Sequence, residues 1–415
     1  MKSKRTSSLP AKNNTAVKNH FHFRRASFYW IVPLLFLAVA LCVVVIFNYG
    51  SKDDTLDAAA LAPARIINIQ QDFSAKFYFN NTFGNADFSK AIIKAIDESK
   101  KSVEVAVYSM NHAAIRDALY RAAKRGVSVT LIFSDRKITQ HNKLFANIPK
   151  EIRRIDISSN SAASSGSLMH HKFILIDRGV KSQRLFFGSY NFTELQEKYD
   201  PSFLMETTRP ELADVFGEEF TRLTEGAHGH IKFKNNFNPF AALIKYPQGD
   251  LEIWFSPQSY RGGLRNRLLS LIRGAQKSIN ILVWDITDKE IARALVLAAH
   301  TKPVEMLVDD VNFSTQGSVA PFIESEKKFR GLDKLNILTD VRRNEELAKD
   351  FNMKDFNSFL HHHLLLVDDT IAVFGTSNWS TNGFYNNDES TIVTTIPSIV
   401  KSFKETFDIN YNKAK

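Results

Sequence analysis

SKAIIKAIDESKKSVEVAVYSMNHAAIRDALYRAAKRGVSVTLIFSD, residues 89–135, alternates helical and strand patterns of apolar residues. Apolar positions recur at helical spacing from residue 92, form a strand pattern at 103–108, and repeat both patterns at 115–124 and 127–133. Strands that alternate with helices of about ten residues are typical of βαβ units. The stretch therefore predicts an α/β fold whose sheet is largely parallel and covered by helices.

The same layout occurs a second time. Residues 266–309, NRLLSLIRGAQKSINILVWDITDKEIARALVLAAHTKPVEMLVD, repeat the two helical and two strand patterns in the same order. A chain of 415 residues also exceeds the size at which a single core keeps growing. We therefore predict two duplicated halves at 75–226 and 251–415, joined by a junction at 227–250 that is rich in Gly, Asn and Pro.

The N-terminal region predicts a membrane anchor. Residues 29–49 carry no charge and have about the length that crosses a bilayer as one helix. Residues 1–28 contain seven basic and no acidic residues, so the positive-inside rule predicts a cytoplasmic tail, a linker at 50–74, and a body on the non-cytoplasmic side. That side would be a bacterial periplasm or an endomembrane lumen. A cleaved signal peptide and the mitochondrial inner membrane stay open as alternatives.

Charge and cysteine content narrow the class of protein. The chain has a net charge of +10, but seven of its 54 basic residues lie in the tail, which leaves 47 basic against 44 acidic residues. A nearly neutral body disfavours a protein that grips a long polyanion through many phosphates, although a basic stretch at 136–154 could form a local groove. The only cysteine, Cys42, lies in the apolar run, so no disulfide can form within the chain.

Two short motifs with one spacing lie far apart in the duplicated regions. In each, a histidine is followed two residues later by a cation or potential cation and seven residues later by an aspartate. The residues are His170, Lys172 and Asp177 in the first motif and His361, His363 and Asp368 in the second. Each motif leads to a small-residue turn that ends in asparagine, Gly188-Ser189-Tyr190-Asn191 and Gly375-Thr376-Ser377-Asn378. One match of this kind could arise by chance, but two matches in duplicated regions indicate that the motif residues have a function.

These residue types suit the cleavage of a phosphodiester. The reaction needs a nucleophile for phosphorus, a proton donor for the leaving oxygen, and hydrogen-bond donors or positive charge for the non-bridging oxygens. Two histidines that face each other across a phosphate can supply the first two roles. We expect the third from Lys172, Asn191 and Asn378, assisted by Ser189 and Thr376. A zinc site at the three consecutive histidines 361–363 is a less favoured interpretation, because three consecutive residues of a strand cannot all face one ion.

The motifs resemble the signature of the phospholipase D superfamily, His-x-Lys-x4-Asp followed by Gly-Ser-x-Asn, which occurs twice per active site. The resemblance extends from about residue 75 to the C-terminus. It implies two α/β/α sandwich halves packed around one active site, no metal and no other cofactor, and a covalent phosphohistidine. It implies His170 as the nucleophile and His361 as the general acid and then base, although the two roles could be reversed.

In that superfamily an acidic residue beyond each asparagine orients a motif histidine. The resemblance points to Glu389 in the second half and to Glu206 in the first. Asp177 and Asp368 are expected on the opposite strand face, as structural anchors. One departure is His363, which stands where the family has lysine. We expect His363 to lose its proton between pH ~5.5 and ~8 and to weaken phosphate contact there, because an unperturbed histidine has a pKa of about 6.5.

The predicted substrate is a phospholipid in a membrane. An anchor within reach of lipid, a nearly neutral body and 33 phenylalanines favour head-group hydrolysis or transfer. The alternative is a nuclease for single-stranded DNA or RNA, in which the basic residues of 136–154 would contact the backbone of the nucleic acid. A silent phosphate-binding protein is a third reading. An oligomer is not required, because one chain carries both motifs.

Overall fold

The computed structural model describes residues 62–81, 86–134, 148–157, 167–229, 231–232, 237–258, 263–309, 317–340 and 359–415. The predicted tail, the apolar run and residues 50–61 of the linker lie outside these ranges. Among the residues described, no helix combines the length and apolar character that a membrane crossing needs.

Sixteen strands and eight α-helices follow one another along the described ranges. The first elements are β1 (Ile66–Asn68), β2 (Lys76–Phe79), α1 (Phe88–Glu98), β3 (Ser102–Val107), α2 (Ala113–Lys124), β4 (Ser128–Phe133), β5 (Ile152–Asp156), β6 (Lys172–Ile176), β7 (Arg184–Gly188), α3 (Glu194–Tyr199), β8 (Phe203–Thr207) and α4 (Pro210–Thr224). Next come β9 (Phe240–Tyr246), β10 (Gly249–Phe255), α5 (Leu264–Gly274), β11 (Ile279–Val283), α6 (Lys289–Ala299), β12 (Val304–Asp309), α7 (Ala320–Arg330), β13 (Leu335–Asp340), β14 (Leu364–Val367), β15 (Ile371–Gly375), a π-helical turn (Asn382–Asn386), β16 (Ser390–Thr394) and α8 (Pro397–Ala414).

The strands form two sheets of the same topology. The first has the order β2-β8-β7-β6-β3-β4-β5, and the second has β10-β16-β15-β14-β11-β12-β13 with β9 and β1 added beyond β10. Strand β9 lies inside the stretch that the sequence suggested as a junction. Each element of the first sheet thus has a counterpart in the second, and the chain has a duplicated α/β fold.

Neither sheet is largely parallel, so that prediction was wrong. The parallel neighbours are β3-β4-β5, β11-β12-β13 and the pair β1-β9, whereas every other pairing is antiparallel. The physical reason is the short connections that follow the motifs. A parallel neighbour needs a crossover of about a dozen residues, and the β6–β7 and β14–β15 links are too short to provide one.

Phenylalanine rings fill the space between the two sheets. Phe374 of β15 lies 5.4 Å from Phe203 of β8 and 4.3 Å from Phe403 of α8, measured between ring centroids. The same buried cluster continues through Phe173 of β6 and Phe187 of β7. On its other face the first sheet is covered by α1 and α2, which pack together. The shared aromatic core therefore joins the two sheets that carry the motifs.

The motif aspartates fasten the ends of the motif strands. Asp177 accepts hydrogen bonds from the main-chain N–H groups of 100–102, the shortest at 2.7 Å from Lys101. Asp368 does the same for 276–278, with 2.6 Å from Lys277. Burial alone would raise the pKa of each carboxyl, but these hydrogen bonds outweigh it and lower the pKa. Each aspartate thus ties its motif strand to the start of β3 or β11.

Candidate active site

Both motifs lie at the same kind of position in their sheets. His170 lies just before β6, separated from it by His171, and Asn191 follows β7. These antiparallel neighbours pair Phe173 with Phe187. The histidine and the asparagine therefore flank the same strand end. The pairing of β14 with β15 places the second motif and Asn378 together in the same way.

Main-chain hydrogen bonds join each motif to the opposite sheet. The N–H of His170 donates to the Asp388 carbonyl at 2.8 Å, and the Asp388 N–H donates to Leu168 at 2.8 Å. Reciprocally, the N–H of His361 donates to the Pro201 carbonyl at 2.8 Å. The turn that precedes β16 thus holds the first motif, and the turn that precedes β8 holds the second.

The His170 ring is held by a carboxylate from the other sheet. Its Nδ1 lies 2.8 Å from Oε2 of Glu389, which also accepts a 2.6 Å hydrogen bond from the Thr376 hydroxyl. Asn387 donates to the other carboxylate oxygen at 3.0 Å. Burial lowers the pKa of His170, an effect that Glu389 partly offsets. A carboxylate at Nδ1 favours the tautomer with the proton there, which leaves the Nε2 lone pair for an electrophile.

Lys172 is a buried cation beside His170. Its side chain is fully inaccessible to solvent, and its Nζ donates to the His170 carbonyl at 2.8 Å. Burial lowers its pKa to about 7, although the charge of Glu389 acts in the opposite direction. Among the described residues the ammonium group has this one hydrogen bond, which leaves N–H donors for an anion.

Within the described ranges, the His361 ring has no carboxylate bond comparable to that of His170. Its Nε2 lies 4.0 Å from Oδ2 of Asp200, and its Nδ1 has no partner among the residues described. The ring instead stacks on Trp284, with 6.1 Å between centroids and 12° between planes. Burial holds the pKa of His361 well below its usual value, and the nearby Lys172 and His170 lower it further. This electrostatic influence is consistent with one site shared by both motifs.

A serine occupies the position equivalent to Glu389. The N–H of Ser189 donates to Phe203, and the N–H of Thr376 donates to Ser390, so Ser202 is the counterpart of Glu389 in register. The Ser202 hydroxyl donates to the Asp200 carbonyl at 3.0 Å. The two halves of the site are therefore chemically unequal.

Glu206 does not orient a motif histidine, so that prediction was wrong. It lies on β8 opposite Lys76, accepts a 2.8 Å hydrogen bond from Tyr78 and lies 3.8 Å from Arg184. The prediction assumed a longer loop after Asn191, but Ser202 follows Asn191 at the same spacing at which Glu389 follows Asn378, so the equivalent position carries a serine. The acid near His361 is Asp200, six residues before Glu206.

His363 differs from Lys172 in backbone and in charge. Its φ of 46° lies in the left-handed region, and β14 begins only at the next residue. The buried ring lies edge-on to His361 at 5.8 Å, and neither nitrogen has a partner within the described ranges. Burial, and then the nearby His361, His170 and Lys172, hold the pKa of His363 well below its usual value. The direction of this shift argues against the expected loss of a proton between pH ~5.5 and ~8, and the effect of His363 on the activity profile stays a prediction.

The asparagines and the hydroxyls have different surroundings. In the part of the chain described here, Oδ1 of Asn191 and of Asn378 lacks a hydrogen-bond partner. Ser189, by contrast, accepts the Phe203 N–H at 3.1 Å, and Thr376 accepts the Ser390 N–H at 3.0 Å while donating to Glu389. Thr376 uses its hydroxyl proton on Glu389, which does not fit its expected help in phosphate binding. Across the residues described, the Ser189 hydroxyl only accepts, so its proton is still available to a phosphate and its expected role stays a prediction.

A buried charge network behind the site had not been predicted. His171 contacts Glu219 at 2.9 Å and Ser390 at 2.5 Å. Glu219 forms a short ion pair with Lys232, whose Nζ lies 2.7 Å from Asp388. Burial alone would raise the pKa of Glu219, but Lys232 and His171 lower it strongly. The sequence signal was a charged residue on the apolar face of α4.

The described residues bear on two further expectations, the absence of a metal site and the basic groove at 136–154. Across the described ranges, no group of three His, Cys, Asp or Glu side chains is arranged to hold a metal ion. Of the basic stretch at 136–154, residues 136–147 lie outside those ranges, while Arg153 and Arg154 are exposed on β5.

A family model described as the PLD-like domain of cardiolipin synthase matches residues 92–224 and 268–410, more than half of the chain. The chain belongs to the phospholipase D superfamily. The match includes both motif histidines, and it confirms the resemblance that the motifs suggested.

Relatives within the superfamily act on phospholipids by name. The chain is 26% identical over 357 residues to cardiolipin synthase 1 of Bacillus cereus, which covers 79% of this chain and 65% of that protein. It is 25% identical over 144 residues to the mitochondrial cardiolipin hydrolase of Xenopus laevis, covering 34% and 59%. The chain thus spans less than two thirds of the length of either relative.

A solved structure shares the fold. The phosphatidylserine synthase of Haemophilus influenzae aligns with a TM-score of 0.58 and 15% identity, covering 82% of this chain and 89% of that one. At this identity the alignment shows the phospholipase D fold alone.

Proposed function

We propose that this chain is a phosphodiesterase that hydrolyses a phospholipid head group or transfers the phosphatidyl group to an alcohol, through a phosphohistidine on His170. The bond between His170 and Glu389 is the observation that carries the proposal. It leaves Nε2 of His170 nucleophilic, and the carboxylate stabilises the positive charge that the ring gains on phosphorylation.

In the first step, Nε2 of His170 attacks phosphorus, and the bond from phosphorus to the head-group oxygen breaks. His361 gives its proton to that oxygen. The pKa of His361 is well below its usual value in the free protein. A bound phosphate would raise it, because a nearby negative charge favours the protonated ring. Lys172 stabilises the charge on the non-bridging oxygens.

In the second step, water or an alcohol attacks phosphorus while His361 accepts its proton. The bond from phosphorus to His170 breaks, and His170 returns to its starting state. Each step uses one histidine as nucleophile or leaving group and the other as acid or base. No further co-reactant is needed.

Lipid is favoured over nucleic acid as the substrate. By name, one of the two relatives is a cardiolipin synthase and the other a cardiolipin hydrolase. The nearly neutral body lacks the basic excess that many phosphate contacts require. The apolar run at 29–49 and its basic tail support a single-pass anchor with the catalytic body on the non-cytoplasmic side.

The test uses the full chain with vesicles of phosphatidylcholine, phosphatidylglycerol or cardiolipin, and with single-stranded DNA, all in chelator. We expect lipid turnover that survives chelator and is lost in His170→Ala. The matched control is His300→Ala, which changes an exposed histidine at the end of α6. Cleavage of DNA without lipid turnover would instead support the nuclease, and turnover of neither would support a silent phosphate-binding protein.

A further inference from the structure

The charge network behind the site contacts the residues next to the His170–Glu389 pair. It consists of four buried residues: His171, Glu219, Lys232 and Asp388. His171 follows His170 in the chain. Its ring lies 2.9 Å from Oε1 of Glu219 and 2.5 Å from the hydroxyl of Ser390, the residue after Glu389. Two consecutive rings of the first motif thus bind two consecutive residues of the second sheet.

Asp388 connects the same network to the residue before Glu389. Its main-chain carbonyl accepts the N–H of His170 at 2.8 Å. Its Oδ1 lies 2.7 Å from Nζ of Lys232, which forms a short ion pair with Glu219. The network therefore contacts both neighbours of Glu389, residues 388 and 390, and the residue that follows His170.

The duplicated half provides an internal comparison. Helices α4 and α8 both begin with proline, and Glu219 and Thr406 lie equally far along them. Phe203 is the counterpart of Ser390 in register, and Ser202 is the counterpart of the carboxylate that holds His170. The buried charge on the helix and the carboxylate on the strand are thus found together in one half. Uncharged residues replace both in the other half.

A gain in stability does not explain this network. The side chains of Glu219 and Lys232 are fully buried, and that of Asp388 is 1% exposed. The attraction between buried charges does little more than offset the cost of removing them from water, and well-packed apolar residues are often at least as stable. Such a network does restrict which groups can meet, because a displaced partner leaves a buried charge unpaired. Its value therefore lies in geometry.

We propose that Glu219 and Lys232 are positioning residues, which hold Glu389 within hydrogen-bond distance of His170. They act through the residues that flank this pair in the chain. The inference rests on the proposed function and adds two residues to it. If the two segments separate, the phosphorylated ring of His170 loses the carboxylate that stabilises its positive charge. Binding of the lipid does not depend on that charge, so a defect in positioning lowers kcat with little change in KM.

The test uses the full chain in detergent with a phospholipid that carries a nitrophenyl head group. This head group leaves without a proton, so the burst of nitrophenol reports attack by His170 alone. His171→Phe retains an aromatic ring beside Phe173 and Phe255 but removes both hydrogen bonds. We expect the burst rate and kcat to fall about tenfold, with KM changed less than about twofold.

The matched control separates positioning from a general loss of packing. Leu119→Ala removes a buried side chain of α2, on the other face of the first sheet. It should lower the resistance of the chain to denaturant without lowering the burst rate. A burst rate that falls equally in Leu119→Ala and His171→Phe would contradict the positioning role.

A double-mutant cycle with Glu389→Gln tests whether the network acts through this carboxylate. Once the carboxylate is absent, His171→Phe should change the burst rate less than about twofold. Lys232→Met enters the same cycle at a temperature at which denaturant titration shows it to be folded, with the same expectation. A wild-type burst rate in His171→Phe, or an equal fall in both backgrounds, would overturn the positioning role while lipid turnover still supports the proposed function. Absence of lipid turnover in the wild type would overturn both.

Discussion

Oε2 of Glu389, on the second sheet, lies 2.8 Å from Nδ1 of His170, on the first. The two residues are separated by more than two hundred positions in the chain. Each sheet by itself therefore carries an incomplete site, because the histidine and the carboxylate that orients it come from different sheets. The main-chain hydrogen bond from His361 to Pro201 likewise ties the second motif to the first sheet, so each motif depends on the opposite sheet.

Glu389→Gln should lower kcat about 10- to 100-fold with the fold intact. The amide cannot stabilise a positive imidazole as a carboxylate does, and the effect is of the size seen when such supporting groups are lost. The matched control is Glu206→Gln, which alters a glutamate on β8 next to Tyr78 and should retain nearly full activity. Equal losses in both variants would remove Glu389 from the mechanism.

The pH profile should be governed by Lys172. With a pKa of about 7, this group is charged below neutral pH and loses its proton as pH rises through that value. We expect kcat/KM to fall above pH 7 in the wild type, measured from pH 5.5 to 9. Arginine stays charged over this whole pH range, so Lys172→Arg should remove the fall of kcat/KM above pH 7. This holds whether or not the variant is slower than the wild type at every pH. An unchanged alkaline limb in Lys172→Arg would contradict this account.

Lys232→Met should destabilise the fold by about 3–5 kcal/mol, because it leaves Glu219 and Asp388 buried without their counter-charge. Denaturant titration provides the measurement. In Lys404→Met, which breaks a partly exposed pair with Asp408, the loss should stay at about 1 kcal/mol or less. Replacing Glu219 by Gln together with Lys232→Met should recover part of the loss, and full additivity of the two changes would count against a shared network.

The motif aspartates should make stability depend on acidic pH. Their pKa values are lowered in the folded protein, so their contribution is complete above the ordinary value of 3.8 and is lost as pH falls through the folded value. Asp177→Asn with Asp368→Asn should flatten the stability profile below about pH 4. Asparagine tolerates the positive φ of both positions, so the change isolates the charge. The surface variant Asp97→Asn should keep the wild-type profile, and a double variant as pH-sensitive as the wild type would be inconsistent with this role.

The repeated helix and strand patterns were sufficient to predict a duplicated α/β fold, because period and length are local properties. Strand direction was not predictable in this way: β6 and β7 are adjacent and antiparallel, which depends on the short turn between them. Strand β1 was not predictable, because it has too few residues to show a periodic pattern. Its pairing with β9 joins residues that are far apart in the sequence.

The site was predictable where spacing defines it. Both histidines and both asparagines could be selected by their places in the motifs, and Glu389 by the resemblance to the superfamily. Asp200 could not be separated from Glu206, because the loop that contains α3 sets which acid faces His361. Likewise the burial that lowers the pKa of His363, and the contact of Lys232 with Asp388, depend on packing between the sheets.

The central claim is that His170 forms the covalent intermediate, and the direct measurement is mass spectrometry of the chain quenched during turnover of the lipid. His361→Asn slows release of the intermediate, because no group then takes the proton from water. The lipid carries a nitrophenyl head group, which leaves without a proton, so the intermediate still forms although the variant lacks the acid. We predict a phosphatidyl adduct on His170 in this variant and none in His170→Asn. An adduct on His361 in the wild type, or steady turnover in His170→Asn, would contradict the account.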